Sequence, residues 1–120
     1  MNRIQCGTGL ISLILIFIGC THLTEVKRAY DRTDYRKAVQ LSLKAVENDS
    51  TDSEAWLYVA KSSFALNNKK QGLKALKQIR ILDPASKRHR RELSLIYQNL
   101  GEKALKRRQK QDAVQYYLSA

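Results

Sequence analysis

Apolar side chains recur every three or four residues through the middle of the chain, which is the spacing of one face of an α-helix. Two such faces follow one another, the first formed by Trp56, Val59, Ala60 and Ser63 and the second by Leu73, Leu76, Ile79 and Arg80. Asn67-Asn68 lies between them and supplies a turn, because asparagine side chains bond to nearby backbone groups. The pattern therefore predicts two helices joined by a short turn.

Local signals at the ends of these segments also favour helices. Thr51-Asp52-Ser53-Glu54 has the spacing of a capping box, just before an apolar stretch. Asp83-Pro84 predicts another helix start, with Asp83 as the N-cap and Pro84 at the first helical position. Small residues that would let paired helices approach closely occur at Ala60, Gly72, Gly101 and Ala113.

The first twenty residues have a different pattern. Leu10 to Ile18 is a nine-residue run broken only by Ser12, which is shorter than the roughly 20 apolar residues of a membrane-spanning helix. Arg3 precedes this run, and the length and flanks are typical of a secretory signal peptide. The ending Phe17-Ile18-Gly19-Cys20 resembles the lipobox of bacterial lipoproteins, in which a small residue precedes the cysteine that is lipidated.

That resemblance implies that residues 1–19 are a removed signal peptide and that Cys20 carries the lipid, with residues 20–24 as the lipidated N-terminus. Cys6 would leave with the signal. The alternative is an uncleaved anchor with an incidental cysteine. Because Thr21 is not the Asp of an inner-membrane retention signal, the implied location is the outer membrane, facing the periplasm. The inner membrane is the second choice.

The rest of the chain contains a repeat. With residue 53 as place 1, Trp56 falls at place 4, Ala60 at 8, Leu76 at 24 and Pro84 at 32. This spacing resembles the tetratricopeptide repeat (TPR), a helical hairpin of 34 residues. Gly72 stands where the TPR family usually has alanine, and we expect it to weaken the second helix by up to about 1 kcal/mol.

The repeat extends in both directions. Ala38 lies thirty-four residues before Gly72, and Tyr97, Gly101 and Ala113 continue the pattern after seven inserted residues. The resemblance implies an all-α fold, a short TPR-type α-solenoid of about three helical hairpins. Its domain covers residues 22–120, with units at 22–52, 53–86 and 94–120 and the insertion at 87–93. The alternative is a generic amphipathic helical bundle.

In the TPR family the first helices of successive units line a concave groove. The matching positions of this chain are Lys27, Tyr30, Asp31, Leu57, Lys61 and Phe64. Lys27 and Lys61, and likewise Tyr30 and Phe64, are thirty-four residues apart, so we expect a lysine ladder beside an aromatic ladder. Such a groove suits an extended peptide with carboxylates and apolar side chains. The alternative is that the aromatics pack between units and the lysines are solvated.

Charge is divided unevenly between the two halves. The chain has 22 Lys+Arg against 11 Asp+Glu, and the excess lies in residues 61–120. A basic patch is predicted at Lys87, Arg88, Arg90, Arg91, Lys106, Arg107 and Arg108. Such a field attracts an anionic lipid, a cell-wall polymer or an acidic protein. Nucleic acid is disfavoured as a partner because the signal sequence implies secretion.

These patterns favour a binding protein over an enzyme. The sequence offers no paired carboxylates, no Ser-His-Asp or Cys-His arrangement and no metal-ligand spacing, so we expect no catalytic, metal or cofactor site. The expected function is a membrane-anchored adaptor of the bacterial envelope, of the kind that TPR lipoproteins provide in pilus assembly, outer-membrane biogenesis or cell-wall enzyme regulation. The alternative is electrostatic docking by the basic C-terminal half. We expect the last helix to expose one apolar side around Val114, Tyr117 and Leu118, which predicts a partner or self-association there. The alternative is fraying of that helix.

Overall fold

The computed structural model describes residues 23–85, 87–107 and 109–120. The helices are α1 at residues 23–31, α2 at Tyr35–Asn48, α3 at Ser53–Ala65, α4 at Lys69–Leu82, α5 at Arg90–Lys106 and α6 at Lys110–Ser119. No strand occurs among these described residues, so the predicted all-α class is confirmed for this part of the chain.

The signal peptide and Cys20 lie outside the described residues. Within the described ranges, no helix combines the length and the apolar character needed to cross a membrane. The lipid anchor therefore stays a prediction from the sequence.

The chain divides into two compact units. Unit 1 extends to Leu82 and includes α1 to α4, whereas unit 2 runs from Asp83 to Ala120 and includes α5 and α6. Each unit is described by itself below.

Helix α3 is central to unit 1, since it packs against both α2 and α4. Its buried residues Leu57, Val59 and Ala60 occupy different sides of the helix, as the 100° rotation per residue requires. Val26 of α1 and Ile79 of α4 are also completely buried. These are among the largest fully buried side chains, and a fully buried Leu or Ile side chain contributes about 1.5–3 kcal/mol.

The same turn closes both helical hairpins of unit 1. Thr33 and Asn67 are thirty-four residues apart, and each has a φ of 62°. The next residues, Asp34 and Asn68, each donate their N–H to the carbonyl five residues earlier, at N···O distances of 2.9 and 2.8 Å. Two turns thirty-four residues apart thus have the same backbone geometry.

The helices that follow these turns begin in the same way. Asp34 Oδ1 accepts the N–H of Lys37 at 3.3 Å, and Asn68 Oδ1 accepts that of Gln71 at 3.2 Å. Each side chain satisfies one of the backbone donors that a helix N-terminus leaves without a partner. Asp34 is therefore the N-cap of α2.

Unit 2 contains a turn with the same type of backbone hydrogen bond, more than thirty-four residues after the turn at Asn67. The N–H of Gln109 donates to the carbonyl of Ala104 five residues earlier, at 2.8 Å. Gln109 follows Asn68 by forty-one residues, which is one repeat plus the seven inserted residues. The division of the chain into three repeat units stays a prediction.

Two predicted helix starts are wrong. The N-cap of α3 is Asp52, whose side chain accepts the N–H of Ala55 at 3.1 Å, and not Thr51. The hydroxyl of Thr51 donates instead to Asp49 Oδ1, because the chain turns before the helix begins. Pro84 lies in a turn and no helix starts there.

The reason for the second error is a hydrogen bond across the turn. Asp83 Oδ2 accepts the N–H of Arg88 at 3.2 Å, so this carboxylate closes a turn instead of capping a helix. Helix α5 begins at Arg90, inside the predicted insertion, and the predicted unit start at Ser94 lies four residues within it.

Unit 2 is a single helical hairpin with a small core. Its buried residues are Leu93, Leu100, Gly101 and Ala104 of α5, Ala113 of α6, and His89. The last helix exposes Val114, Tyr117 and Leu118, as predicted, and Leu118 is 80% exposed. One hairpin cannot enclose its own apolar face, which explains this exposure.

Candidate functional site

Three tyrosines and a lysine form a cluster in unit 1. Tyr30 is at the end of α1, Tyr35 begins α2, and Tyr58 and Lys61 are one turn apart on α3. The ring centroids of Tyr30 and Tyr35 are 5.2 Å apart, and those of Tyr30 and Tyr58 are 5.9 Å apart. Both pairs are edge-to-face, the arrangement that the ring quadrupole favours. We call these four residues the tyrosine–lysine cluster.

The lysine of the cluster is held over two of its rings. Lys61 Nζ lies 4.5 Å from the Tyr30 centroid and 5.0 Å from the Tyr58 centroid. Each contact is a cation–π interaction worth about 0.5–1 kcal/mol where solvent has access. The contacts restrain a side chain that would otherwise be flexible, and they join α1 to α3. All four residues are half-buried, so the cluster is both packed and accessible.

The cluster includes two of the predicted groove residues, Tyr30 and Lys61. Lys27 and Asp31, which were predicted beside them, are exposed on α1. Leu57 is only 2% exposed, so its assignment to the groove is wrong. The side chain of Leu57 is buried because α3 has helices packed on two sides.

The contacts of Tyr30 differ from those predicted for the aromatic ladder. Tyr30 contacts Tyr58 and Lys61, which precede Phe64 by six and three residues. Phe64 is half-buried and faces α4, where a Cβ built at Gly72 would be 2.6 Å from two of its ring carbons. Phe64 therefore holds its own hairpin together and is a packing residue.

The same contact corrects the expectation for Gly72. The sequence predicted a tolerable substitution for alanine that weakens α4. A contact of 2.6 Å is shorter than real Cβ contacts, so the ring of Phe64 occupies the space that an alanine methyl would need. Glycine at this position therefore leaves room for the Phe64 ring between α3 and α4.

Tyr35 and Tyr58 were missed as surface residues. Neither tyrosine was assigned to a binding surface from the sequence. The sequence did indicate that Tyr58 lies beside Lys61, because residues three apart lie on one side of a helix. Their meeting with Tyr30 depends on how α1 and α3 pack, which spacing alone does not specify.

A small concavity lies between α1 and α2. It measures about 140 Å³ and is lined by Glu25, Arg28, Ala29, Arg32, Asp34 and Lys37. Acidic and basic groups alternate around it, so it has no strong preference for a charged ligand.

The predicted basic patch consists of two separate clusters. Lys87, Arg88, Arg90 and Arg91 are exposed before and at the start of α5. Lys106 and Arg107 are exposed at the other end of α5, whereas Arg108 lies outside the described residues. The 1.5 Å rise per residue separates Arg90 from Lys106 by roughly 24 Å. A single small ligand cannot contact both clusters.

The first of these clusters surrounds an open depression of about 500 Å³. Its walls are Lys87, Arg88, Arg90, Arg91, Ser94 and Leu95. We call it the basic depression. Four cations around one concavity favour an anionic group.

His89 lies within this basic run but is buried. It is 6% exposed and belongs to the small core of unit 2.

Among the described residues, no group of three or more His, Cys, Asp and Glu side chains is placed to hold a metal ion.

Comparisons with known proteins add no family assignment. No protein-family model matches the sequence, and the search of curated proteins gave no significant match. The functional argument therefore rests on the residues and contacts of this chain.

Proposed function

We propose that the protein is a membrane-anchored, non-catalytic adaptor of the bacterial envelope that binds a partner protein through the tyrosine–lysine cluster of unit 1. The observation that carries the proposal is the contact of Lys61 with Tyr30 and Tyr58, which places a restrained cation between accessible aromatic rings. Tyrosine is enriched at protein interfaces because its ring offers a large area with few rotatable bonds. Exposed Lys27 and Asp31 would form the polar rim.

A TPR-type architecture is part of this proposal. It is supported by the turns at Thr33 and Asn67, by their shared φ, and by the contact of α1 with α3 across hairpins. In a TPR array the first helices of successive units are neighbours. The expected ligand is an extended segment whose carboxylate meets Lys61 while an apolar side chain lies on the tyrosines.

The membrane anchor is proposed from the sequence of residues 1–20. The apolar run from Leu10 to Ile18, followed by Gly19-Cys20, supports lipidation at Cys20. The outer membrane is the proposed location. Together, the anchor and the cluster describe a protein that holds a partner at a membrane surface.

Site-specific photo-cross-linking in the native cells tests the adaptor function. A benzophenone amino acid replaces Lys27, which is exposed beside the cluster, and Lys44 on α2 serves as the equally exposed control position. We expect a discrete adduct from position 27 and none of the same mass from position 44. Lys61→Gln should abolish the adduct, and Lys61→Arg should restore it because the cation–π contact is retained.

Lys61→Arg keeps a cation over the rings, so it distinguishes a loss of binding from a disturbed packing of the cluster. If Lys61→Gln leaves the adduct unchanged, the cluster is not the binding surface. Phe64→Ala is unsuitable as a binding variant, since Phe64 packs against Gly72 and its loss would disturb the hairpin.

A second candidate function is electrostatic docking of an acidic partner at the basic depression of unit 2. The convergence of Lys87, Arg88, Arg90 and Arg91 on one concavity favours it. Binding of this kind should weaken with salt and with Arg90→Glu/Arg91→Glu. Binding at the tyrosine–lysine cluster should survive both changes.

A further inference from the structure

Helix α4 has an unusual distribution of charge. Its fourteen residues include Lys69, Lys70, Lys74, Lys77 and Arg80 but no Asp or Glu. The buried side of α4 consists of Gly72, Ala75, Leu76 and Ile79. All cations of the helix are exposed.

Three of these lysines form a row on the outward side. Lys70, Lys74 and Lys77 follow one another at intervals of four and three residues, which places them on one face. Ile81 continues the row four residues later and is 61% exposed. The row from Lys70 to Ile81 is about 16 Å long at 1.5 Å per residue. We call these four residues the α4 row.

This arrangement is unfavourable for the helix itself. Like charges three or four residues apart repel one another, and cations in the first turn oppose the helix dipole. No acidic residue of α4 offsets either effect. Helix α2 differs, since its exposed Lys44 has Glu47 three residues away on the same face. A negatively charged surface outside the chain would remove the repulsion within the α4 row.

We propose that the α4 row docks unit 1 on the anionic phospholipid headgroups of the membrane to which the chain is anchored. The inference rests on the membrane anchoring proposed above. Lysines on a convex helix face provide mobile point charges, which suits many laterally mobile headgroups. Exposed Ile81 at the end of the row enters the boundary between headgroups and acyl chains.

The position of the anchor strengthens this choice of partner. Cys20 precedes the described part of α1 by only three residues, and α1 belongs to the same unit as α4. A short tether holds unit 1 near the bilayer at a high effective concentration, so even weak charge attraction orients it. An acidic soluble protein would have no such advantage.

The test uses the full chain reconstituted in vesicles, with a tryptophan placed in the α4 row. Ile81→Trp in a Trp56→Phe background gives one reporter, because Trp56 is the only natural tryptophan. Quenching by nitroxide-labelled headgroups is compared between neutral phosphatidylcholine vesicles and vesicles that contain about 30% phosphatidylglycerol. We expect quenching only with the anionic vesicles, and its loss at about 0.5 M salt.

Three variants with the same loss of charge identify the surface. Lys70→Gln/Lys74→Gln/Lys77→Gln should reduce quenching to the level seen with neutral vesicles. The control Arg36→Gln/Lys37→Gln/Lys44→Gln removes three exposed cations from α2 and should leave quenching unchanged. Lys87→Gln/Arg90→Gln/Arg91→Gln removes three cations from the basic depression and should also leave it unchanged.

The possible outcomes distinguish the two proposals. Flotation with neutral vesicles reports the anchor, because no charge attraction operates there. Flotation without quenching in anionic vesicles overturns the α4 docking and leaves the anchor standing. Equal loss of quenching in all three variants also overturns it, since net charge and not the α4 row would then be responsible. Quenching without flotation in neutral vesicles retains the docking and rejects the anchor.

Discussion

The ring of Phe64 lies against Gly72 in unit 1, and the ring of Tyr117 lies against Gly101 in unit 2. Both contacts place an aromatic ring against a glycine, but the two rings differ in how far they are buried. Phe64 is half-buried in a unit where α3 has neighbours on two sides, whereas Tyr117 is 42% exposed on a single hairpin. The comparison shows that a close glycine–aromatic contact is a property of a hairpin, while burial of its other side chains requires a second hairpin.

The two units also differ in how far their apolar side chains are buried. In unit 1 Leu57, Val59 and Ile79 are almost completely inaccessible. In unit 2 Leu105, Val114 and Leu118 remain largely exposed. We therefore expect unit 1 to have a higher free energy of unfolding than unit 2, and the predictions below test or change that difference.

The largest effect on the free energy of unfolding is expected from shortening a core side chain of unit 1. Leu57→Ala shortens a side chain that is only 2% exposed, and it should lower the free energy of unfolding by about 3 kcal/mol. Leu118→Ala in unit 2 removes an exposed side chain and should change it by less than about 0.5 kcal/mol. Urea unfolding followed by circular dichroism measures both units, and Trp56 fluorescence reports unit 1, since the Trp56 indole donates to the carbonyl of Ser50 at 2.9 Å. Similar losses in both variants would contradict the difference between the units.

The two glycines should respond in opposite ways to alanine. Gly72→Ala gains up to about 1 kcal/mol of helix propensity but forces a methyl against the Phe64 ring, and overpacking costs about 1–3 kcal/mol. We expect a net loss of about 1 kcal/mol. Gly101→Ala meets the Tyr117 ring at 3.0 Å, and an exposed ring can move aside, so its net effect should be zero or favourable.

A second substitution tests the cause of that loss. In Gly72→Ala/Phe64→Leu the smaller side chain leaves room for the methyl, and the effects of the two changes should be strongly non-additive. Thermal unfolding monitored by circular dichroism measures all four proteins of this cycle. Additive effects would show that Gly72 is needed for a reason other than its contact with Phe64.

Gly72 also shows what could be predicted from the sequence. Helix spacing predicted the all-α class and asparagine predicted the turn at Asn67-Asn68, because these features depend on neighbours along the chain. The role of Gly72 depends on where the Phe64 ring lies, which is a tertiary contact. Spacing within one helix carries no information about that position.

The same limit applied to the candidate site. Lys61 and Tyr30 were predicted as surface residues from the repeat, and both belong to the tyrosine–lysine cluster. Their partner Tyr58 was missed, and Leu57 was wrongly placed in a groove. Which side of α3 is covered depends on its packing against α2 and α4 together. The start of α5 was wrong for a similar reason, since the hydrogen bond from Arg88 N–H to Asp83 is specific to that turn.

A smaller effect is expected at the repeated turn. Thr33 is a β-branched residue with a φ of 62°, a conformation that costs such residues about 1–2 kcal/mol, whereas asparagine adopts it more readily. Thr33→Asn should therefore stabilise unit 1 by about 0.5–1 kcal/mol and increase the difference in unfolding free energy between the two units. The reverse change, Asn67→Thr, should destabilise the equivalent turn by a similar amount. Equal behaviour of threonine and asparagine at both turns, measured by thermal unfolding, would refute the strain argument.

The smallest effect is electrostatic and confined to the loop before α3. The hydroxyl and the N–H of Thr51 both donate to Asp49 Oδ1, at 2.6 and 3.0 Å. These hydrogen bonds lower the pKa of Asp49 from its ordinary value of 3.8, the side-chain bond contributing most. Because the folded pKa is the lower one, Asp49 favours folding above pH 3.8, and that contribution is lost as the pH falls through the folded pKa. Thr51→Ala should move the pKa of Asp49 back towards 3.8, whereas Thr51→Ser keeps the hydroxyl and should leave it low. A titration of the Asp49 carboxyl by nuclear magnetic resonance measures both variants, and a serine variant that behaved like alanine would remove the hydroxyl from the explanation.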